Sequence, residues 1–334
     1  NEITEKSVRY DINLSPAKEI SIEKTEEVYQ KLKRFVSGNE ENKYLSPSAL
    51  NNFLSCKLKF YFRYIAGLEE QDEITEEIDA PLFGNILHQS MDNLYHDFKG
   101  KLVTSDDLNQ LAKNNELIEK SIDSAFQQEY FKNTKTDYTG KNIIIRQVIE
   151  KYVRRILQID QKIAPFEIIS LEDKYEIEIP VNANNNKLLV KLGGKIDRVD
   201  KKDNRIRIID YKTGSDKLEY KNIESLFSEK KEDRRSAVFQ TFLYARFYKE
   251  QNKPDFPIVP GVYSVRKLFD KDFDYRIENK EDKIKIDDYN TVEQEYMQNL
   301  SKLLHSVFDK EQAFTQADDT RTCEYCPYRK ICHK

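Results

Sequence analysis

GKIDRVDKKDNRIRIIDYKTG, residues 194–214, reads as a β-hairpin. On its first arm Ile196 and Val199 flank Asp197 and Asp200. Lys201, Lys202, Asp203 and Asn204 make a polar reversal, and Ile206, Ile208 and Ile209 build the second arm. Asp210 and Lys212 stand two apart on that arm, so their side chains leave the same face of the sheet. The hairpin thereby gathers Asp197, Asp210 and Lys212 at one place. Two carboxylates and an ammonium so arranged suit metal-dependent phosphodiester hydrolysis. The acids hold Mg²⁺ (or Mn²⁺), and the amine orients or activates water and offsets charge on the phosphorane. An isolated D-x-K is commonly just charge on an exposed hairpin. Here a preceding strand carries another acid, and Thr213-Gly214 closes the motif.

Around the hairpin, periodicity alternates between helix and strand. Ser46-Pro47 supplies an N-cap and a first-turn proline. Leu50, Phe53, Leu54, Leu58, Tyr61, Tyr64 and Ile65 follow at helical spacing as far as Gly67, with Cys56 in the middle. A second helix over Pro81–Phe98 has an apolar stripe of Leu82, Ile86, Leu87, Met91, Leu94 and Tyr95, with His88 beside it. The pattern predicts further helices at about 105–133, 141–160, 237–250 and 291–308. Strands are expected near 166–180, 187–200, 205–213, 258–266 and 272–278, with a polar insertion at 215–235. Helices before and after a small mixed sheet describe an α/β layer architecture. Residues 1–44 are polar and weakly periodic, with a helix expected over 21–36. They read as a linker or the tail of a preceding domain, and residues 45–334 as the main domain. A chain opening on Asn1 reads as a piece of something longer.

The 334 residues carry a net charge of −4, so the whole molecule is not a polycation and any nucleic-acid contact must be local. A charged fraction of 34% without tryptophan, and no apolar run of membrane-span length, point to a soluble cytoplasmic protein. Four cysteines are too few for a disulfide scaffold. Cys323, Cys326 and Cys332 form CxxC followed by a third thiol, and Cys56 lies far upstream. In a reducing compartment four thiolates suit Zn²⁺ or a [4Fe–4S] cluster, and spacing does not choose between them.

The hairpin resembles the core of the PD-(D/E)XK nuclease superfamily, most closely its RecB-like branch, in which GxxDRxD precedes a strand ending DYKTG. The stretch YLSPSALNNFLSCKLKFYFRYIAGL, residues 44–68, resembles the start of that branch's nuclease domain. The resemblance implies a restriction-endonuclease-like α/β core with helical embellishments. Through GxxxH it implies that His88 joins Asp197, Asp210 and the Tyr211 carbonyl as metal ligands. Through QxxxY it implies that Gln240 and Tyr244 line the catalytic cleft with Lys212. In AddB-type helicase–nucleases and CRISPR-associated iron–sulfur exonucleases, one cysteine precedes the core and three follow it. Cys56, Cys323, Cys326 and Cys332 take those positions, implying a [4Fe–4S] staple that closes the domain. Single-stranded DNA or duplex ends would be the substrate, in recombination or repair, with a helicase domain or subunit as partner.

Other residues have blander readings. Glu172 reads as an exposed strand carboxylate, with a supporting role at the site as the alternative. Lys57, Lys59 and Arg63, the terminal Arg329, Lys330 and Lys334, and a stripe of Arg146, Lys151, Arg154 and Arg155 read as solvated faces or DNA tracks. Phenylalanine and tyrosine are abundant enough to offer stacking platforms for single strands, although most of them read as core. The rival functions are a DNA-binding module with an inactive site and a zinc-stabilised interaction domain.

Overall fold

A computed structural model describes residues 19–68, 78–132, 138–214 and 217–333. Strand β1 (Ser21–Ile22) and helix α1 (Glu26–Leu32) open this part of the chain. Helices α2 (Pro47–Ser55) and α3 (Lys57–Phe60) follow, and α3 runs into a π turn over Tyr61–Ile65. Next come α4 (Ala80–Tyr95), β2 (Leu102–Val103), α5 (Ser105–Lys113), α6 (Asn115–Glu129) and α7 (Lys141–Ile163). The main strands are β3 (Phe166–Ala183), β4 (Asn186–Lys202) and β5 (Arg205–Lys212). After β6 (Glu219–Tyr220) stand α8 (Ser236–Asn252) and β7 (Ile258–Ser264). Short strands β8 (Glu278–Asn279) and β9 (Ile284–Lys285), helix α9 (Asn290–Phe308) and β10 (Phe314–Thr315) complete the order.

The central sheet runs β2-β3-β4-β5-β7. Its first three pairings are antiparallel, while β5 and β7 are parallel and joined through α8. The reversal between β4 and β5 places Asp203 and Asn204 at φ 47° and 56°, a left-handed pair that these residue types tolerate and a two-residue hairpin needs. Each face of the sheet carries its own apolar core. One packs α1–α3, α8 and α9 against Ile196, Ile206 and Ile208. The other packs α4–α7 against Ile209, Tyr211 and Tyr263. The period of two along β5 sends 206 and 208 one way and 209 and 211 the other. This is the expected α/β layering, with a mixed sheet between helical layers.

Several local expectations differ from the structure. The first helix is interrupted at Cys56, whose backbone is extended (φ −165°, ψ 115°) and whose sulfur accepts from the Lys59 N–H at 3.4 Å, capping α3. The region 105–132 is two helices, because Asn114 ends α5 and caps α6. The strand expected over 272–278 is largely irregular, and its backbone meets the central sheet at an Arg276–Gly261 bridge. The polar insertion buries Tyr220, Ile223 and Leu226. The helix expected over 21–36 is shorter. Its Val28, Tyr29, Leu32 and Phe35 are buried in the first core, and β1 pairs with β10, so this stretch packs with the rest. Residues 1–18 and Lys334 lie outside the described residues. Among the described residues no helix is long and apolar enough to cross a membrane.

Candidate active site

Strand pairing places the catalytic candidates before any long-range contact is needed. Arg198 pairs with Ile209 across β4 and β5, which sets Asp197 close to Asp210 and Tyr211 at the end of β5. The Tyr211 N–H donates to Asp197 Oδ2 at 2.7 Å, fixing that carboxylate. Lys212 Nζ donates to Asp210 Oδ1 at 2.8 Å and stands 2.7 Å from Oδ2 without hydrogen-bond geometry toward it. Both acids are buried.

Helix α4 supplies the histidine. His88 Nε2 lies 2.8 Å from the Tyr211 carbonyl oxygen, and Nδ1 lies 3.4 Å from Asp197 Oδ2. Close docking of this helix depends on Gly84, one turn earlier, where an added Cβ would stand 3.2 Å from Thr213 Oγ1. Gly194 is needed for a similar reason, since a Cβ there would meet the Tyr244 ring at 3.0 Å. Helix α8 closes the other side. Gln240 Nε2 donates to Asp210 Oδ1 at 3.1 Å and to the Tyr244 hydroxyl at 2.8 Å. His88, Asp197, Asp210, Tyr211, Lys212, Gln240 and Tyr244 are therefore linked by direct contacts into one site.

Glu172 belongs with them, contrary to its reading as an exposed carboxylate. Its backbone has φ 50°, uncommon for a residue with a side chain, and it lies between the pairs Leu171–Arg198 and Asp173–Ile196. The kink leaves its carboxyl 11% exposed, with Oε2 2.6 Å from Lys195 Nζ and Oε1 3.8 Å from His88 Nδ1. Strand alternation in the sequence gives no sign of such a turn. Among the described residues, the one group of three metal-ligating side chains within 4.8 Å of one another is His88, Glu172 and Asp197.

The electrostatics suit a divalent cation. Burial pushes the Asp210 carboxyl up to about 7, Lys212 pulling it down and Asp197 pushing it up. Burial raises Glu172, reinforced by Asp197 and opposed by Lys195. Burial works against the charged imidazole of His88, but the Asp197 carboxylate outweighs it and holds the pKa at about 9. Burial also works against the Asp197 charge, and His88, Lys212 and the Tyr211 N–H together keep its pKa low. Glu172 Oε1 and Asp210 Oδ2 are buried oxygens without a hydrogen-bond donor. Hard oxygen donors, one imidazole and two such oxygens are the donor set a divalent ion takes.

A cation entering this site must displace the protons held by His88 and, in part, by Asp210. Uptake by the metal-free protein is therefore expected to tighten as pH rises through about 7 and on to about 9. Near neutrality each Mn²⁺ bound should release between about one and two protons. Titration calorimetry in buffers of different ionisation heat measures this directly, and a heat that does not change with buffer would contradict it.

The cysteines present a different picture. All four line one cavity together with Phe62 and Tyr328. Burial raises the Cys332 thiol, with the other three thiols contributing. Among the described residues no cysteine belongs to a ligand group at single-ion spacing. Tetrahedral zinc would hold its sulfurs about 3.8 Å apart, given Zn–S bonds of about 2.3 Å. Of the basic candidates, Lys57 pairs with Glu229, Arg146 with Asp123 and Arg154 with Glu150.

Comparison with known proteins agrees with this geometry. The chain is 28% identical over 201 residues to a subunit of the ATP-dependent helicase/deoxyribonuclease of Clostridium perfringens (strain SM101 / Type A), covering 57% of this chain and 17% of that protein. It is 31% identical over 183 residues to the polypeptide of the same name from Carboxydothermus hydrogenoformans, covering 52% and 16%. The chain thus spans a small part of the length of the curated relatives it matches. The family model of the PD-(D/E)XK nuclease superfamily matches residues 44–333, a span that includes every residue of the site above, and this chain belongs to that superfamily.

Proposed function

We propose that this chain is a Mg²⁺- or Mn²⁺-dependent deoxyribonuclease acting on single strands or duplex ends, the nuclease part of a helicase–nuclease, stapled by a [4Fe–4S] cluster. One observation carries the catalytic reading: a buried His88–Glu172–Asp197 group beside an Asp210–Lys212 pair. His88, Glu172, Asp197, Asp210 and the Tyr211 carbonyl would hold the ion. A divalent cation bound there supplies Lewis acidity toward the scissile phosphate and a water of lowered pKa. Lys212 orients that water and offsets charge developing on the phosphate. Gln240 and Tyr244 keep Asp210 aimed at the ion, and Lys195 holds Glu172 in its kinked position.

The cluster reading is supported by the four thiols around one cavity. A cubane takes one thiolate at each of its four irons. Its structural effect would be to join α3 to the C-terminal tail, closing most of the chain into one loop. The partner, by analogy with the named relatives, is a helicase domain or subunit, and the expected setting is cytoplasmic DNA repair or recombination.

The test uses end-labelled linear DNA and circular DNA with Mg²⁺ or Mn²⁺. Metal-dependent release of labelled fragments from linear DNA is expected, with circular single strands cut less. Cutting that survives Asp210→Ala combined with Lys212→Ala would place the chemistry elsewhere. Anaerobically purified protein should be brown with absorbance near about 400 nm. Colourless protein with stoichiometric zinc would replace the cluster by a zinc staple.

A further inference from the structure

In the basic stripe noted on α7, Arg146 and Arg154 are taken up by ion pairs, whereas Arg155 is held by a carbonyl and a ring. Arg155 Nε donates to the Leu268 carbonyl at 2.6 Å, and its guanidinium lies 5.7 Å from the Phe269 ring centre. Phe269 is 57% exposed, in the loop that leaves β7. Its ring meets Tyr152 of α7 at 5.8 Å, and Tyr152 meets Phe83 of α4 at 6.1 Å.

Both ends of this aromatic row connect through the backbone to residues beside the candidate site. Phe83 adjoins Gly84, the residue pressed against Thr213. At the other end the Val265 N–H donates to the Lys212 carbonyl at 2.9 Å, and the same loop continues through the exposed Arg266 to Phe269. Lys151, exposed on α7 beside Tyr152 in sequence, adds a further positive charge. Aromatic faces edged by cations and continuous with a phosphodiester-cleaving site are what an unpaired strand needs, because only bases free of a duplex stack present a face to a ring.

We propose that Phe269, Tyr152 and Phe83, edged by Arg155, Arg266 and Lys151, form a stacking track for the unpaired strand that enters or leaves the active site. This rests on the nuclease reading and adds to it the residues that select single strands. The rings hold bases irrespective of sequence, while Arg266 and Lys151 follow the phosphates.

The experiment measures binding of a fluorescein-labelled oligothymidine to the intact chain in EDTA, by anisotropy over a range of salt, alongside Mg²⁺-dependent cutting of the same strand. Phe269→Ala, at an exposed position, should leave the melting temperature unchanged. It should weaken oligothymidine binding about 5- to 100-fold without changing the slope of log affinity against log salt, since a ring neutralises no phosphate. Phe269→Trp should restore binding, and Arg266→Ala should reduce the slope by about one. Oligothymidine affinity unchanged in Phe269→Ala, with wild-type cutting intact, overturns the track and leaves the nuclease reading standing. A wild-type chain that neither binds nor cuts DNA overturns both. Phe269→Ala that binds DNA normally but fails to bind a helicase partner would assign the patch to that protein and overturn the track.

Discussion

Asp197→Asn is expected to lower DNA cleavage by at least about 10³-fold while lowering the melting temperature only slightly, because the charge that chemistry needs is one that His88, Lys212 and the Tyr211 N–H also hold in the fold. Asp197 is buried and held by the Tyr211 N–H and His88. An asparagine oxygen still accepts from Tyr211, so the strand end keeps its hydrogen bond. His88 loses its counter-charge and sheds a proton, because its pKa of about 9 exists chiefly through Asp197. A neutral imidazole in that place costs little. Cation binding, in contrast, loses an anionic ligand from the His88–Glu172–Asp197 group. The same variant should therefore fail to protect against thermal unfolding when Mn²⁺ is added, whereas the parent gains stability by mass action. Parent-like cutting by Asp197→Asn would remove Asp197 from the site. A collapsed melting temperature would mean that its role is structural.

The acid-bearing hairpin was legible because its information is local. Period two aims Asp210 and Lys212 together, and Asp203-Asn204 fixes the turn that pairs β4 with β5. Gly84 and Gly194 stood in the sequence as motif glycines, and the structure gives a physical reason: a Cβ would crowd the Thr213 hydroxyl at the first and the Tyr244 ring at the second. Glu172 was not legible, because its inward turn comes from a positive φ inside a long strand, just after a register shift at Ile168–Ser170. The break at Cys56 was hidden for a related reason. The cap on α3 is a sulfur, and cysteine is not among the usual capping residue types. The largely irregular 272–278 segment has the composition of a strand, yet Arg276 turns to Asp274 and Asp287 and meets β7 at one bridge. Long-range charge pairing left no periodic trace at all, although the buried acid of α7 depends on it.

Asp160→Ala should destabilise the protein by about 3–5 kcal/mol or more, enough to threaten folding in a molecule whose net stability is about 5–15 kcal/mol. Asp160 projects from α7 into the core and is fully buried. It accepts from Arg198 Nη1 at 2.6 Å, from the Tyr95 hydroxyl at 2.6 Å and from the Tyr263 hydroxyl at 2.8 Å. Arg198 also donates to Asp200 at 2.7 Å, and Asp200 accepts from Arg207 Nε at 2.5 Å. Two acids and two guanidiniums are thus neutral only as a set, with the Phe166 and Tyr275 rings flanking Arg207. Removing Asp160 leaves a net positive charge without water and two tyrosine hydroxyls without their acceptor, each worth about 1–3 kcal/mol. These contributions are coupled and do not simply add.

The network also reaches the chemistry. Tyr95 lies two turns along α4 from His88, Arg198 follows Asp197 directly, and Tyr263 lies on the strand paired with β5. Tyr95→Phe is the gentle probe, since it removes one hydroxyl and keeps the ring. A loss of about 1–3 kcal/mol in the denaturant midpoint energy, accompanied by a fall in turnover with unchanged affinity for DNA, is the expected result. Replacing Asp160, Arg198, Asp200 and Arg207 together by apolar residues of similar volume should recover much of the stability lost in Asp160→Ala, because the cost lies in the unpaired charge. If Asp160→Ala unfolds at the same denaturant concentration as the parent, the buried charges are not coupled in this way, and α7 does not hold the two acid-bearing strands in place.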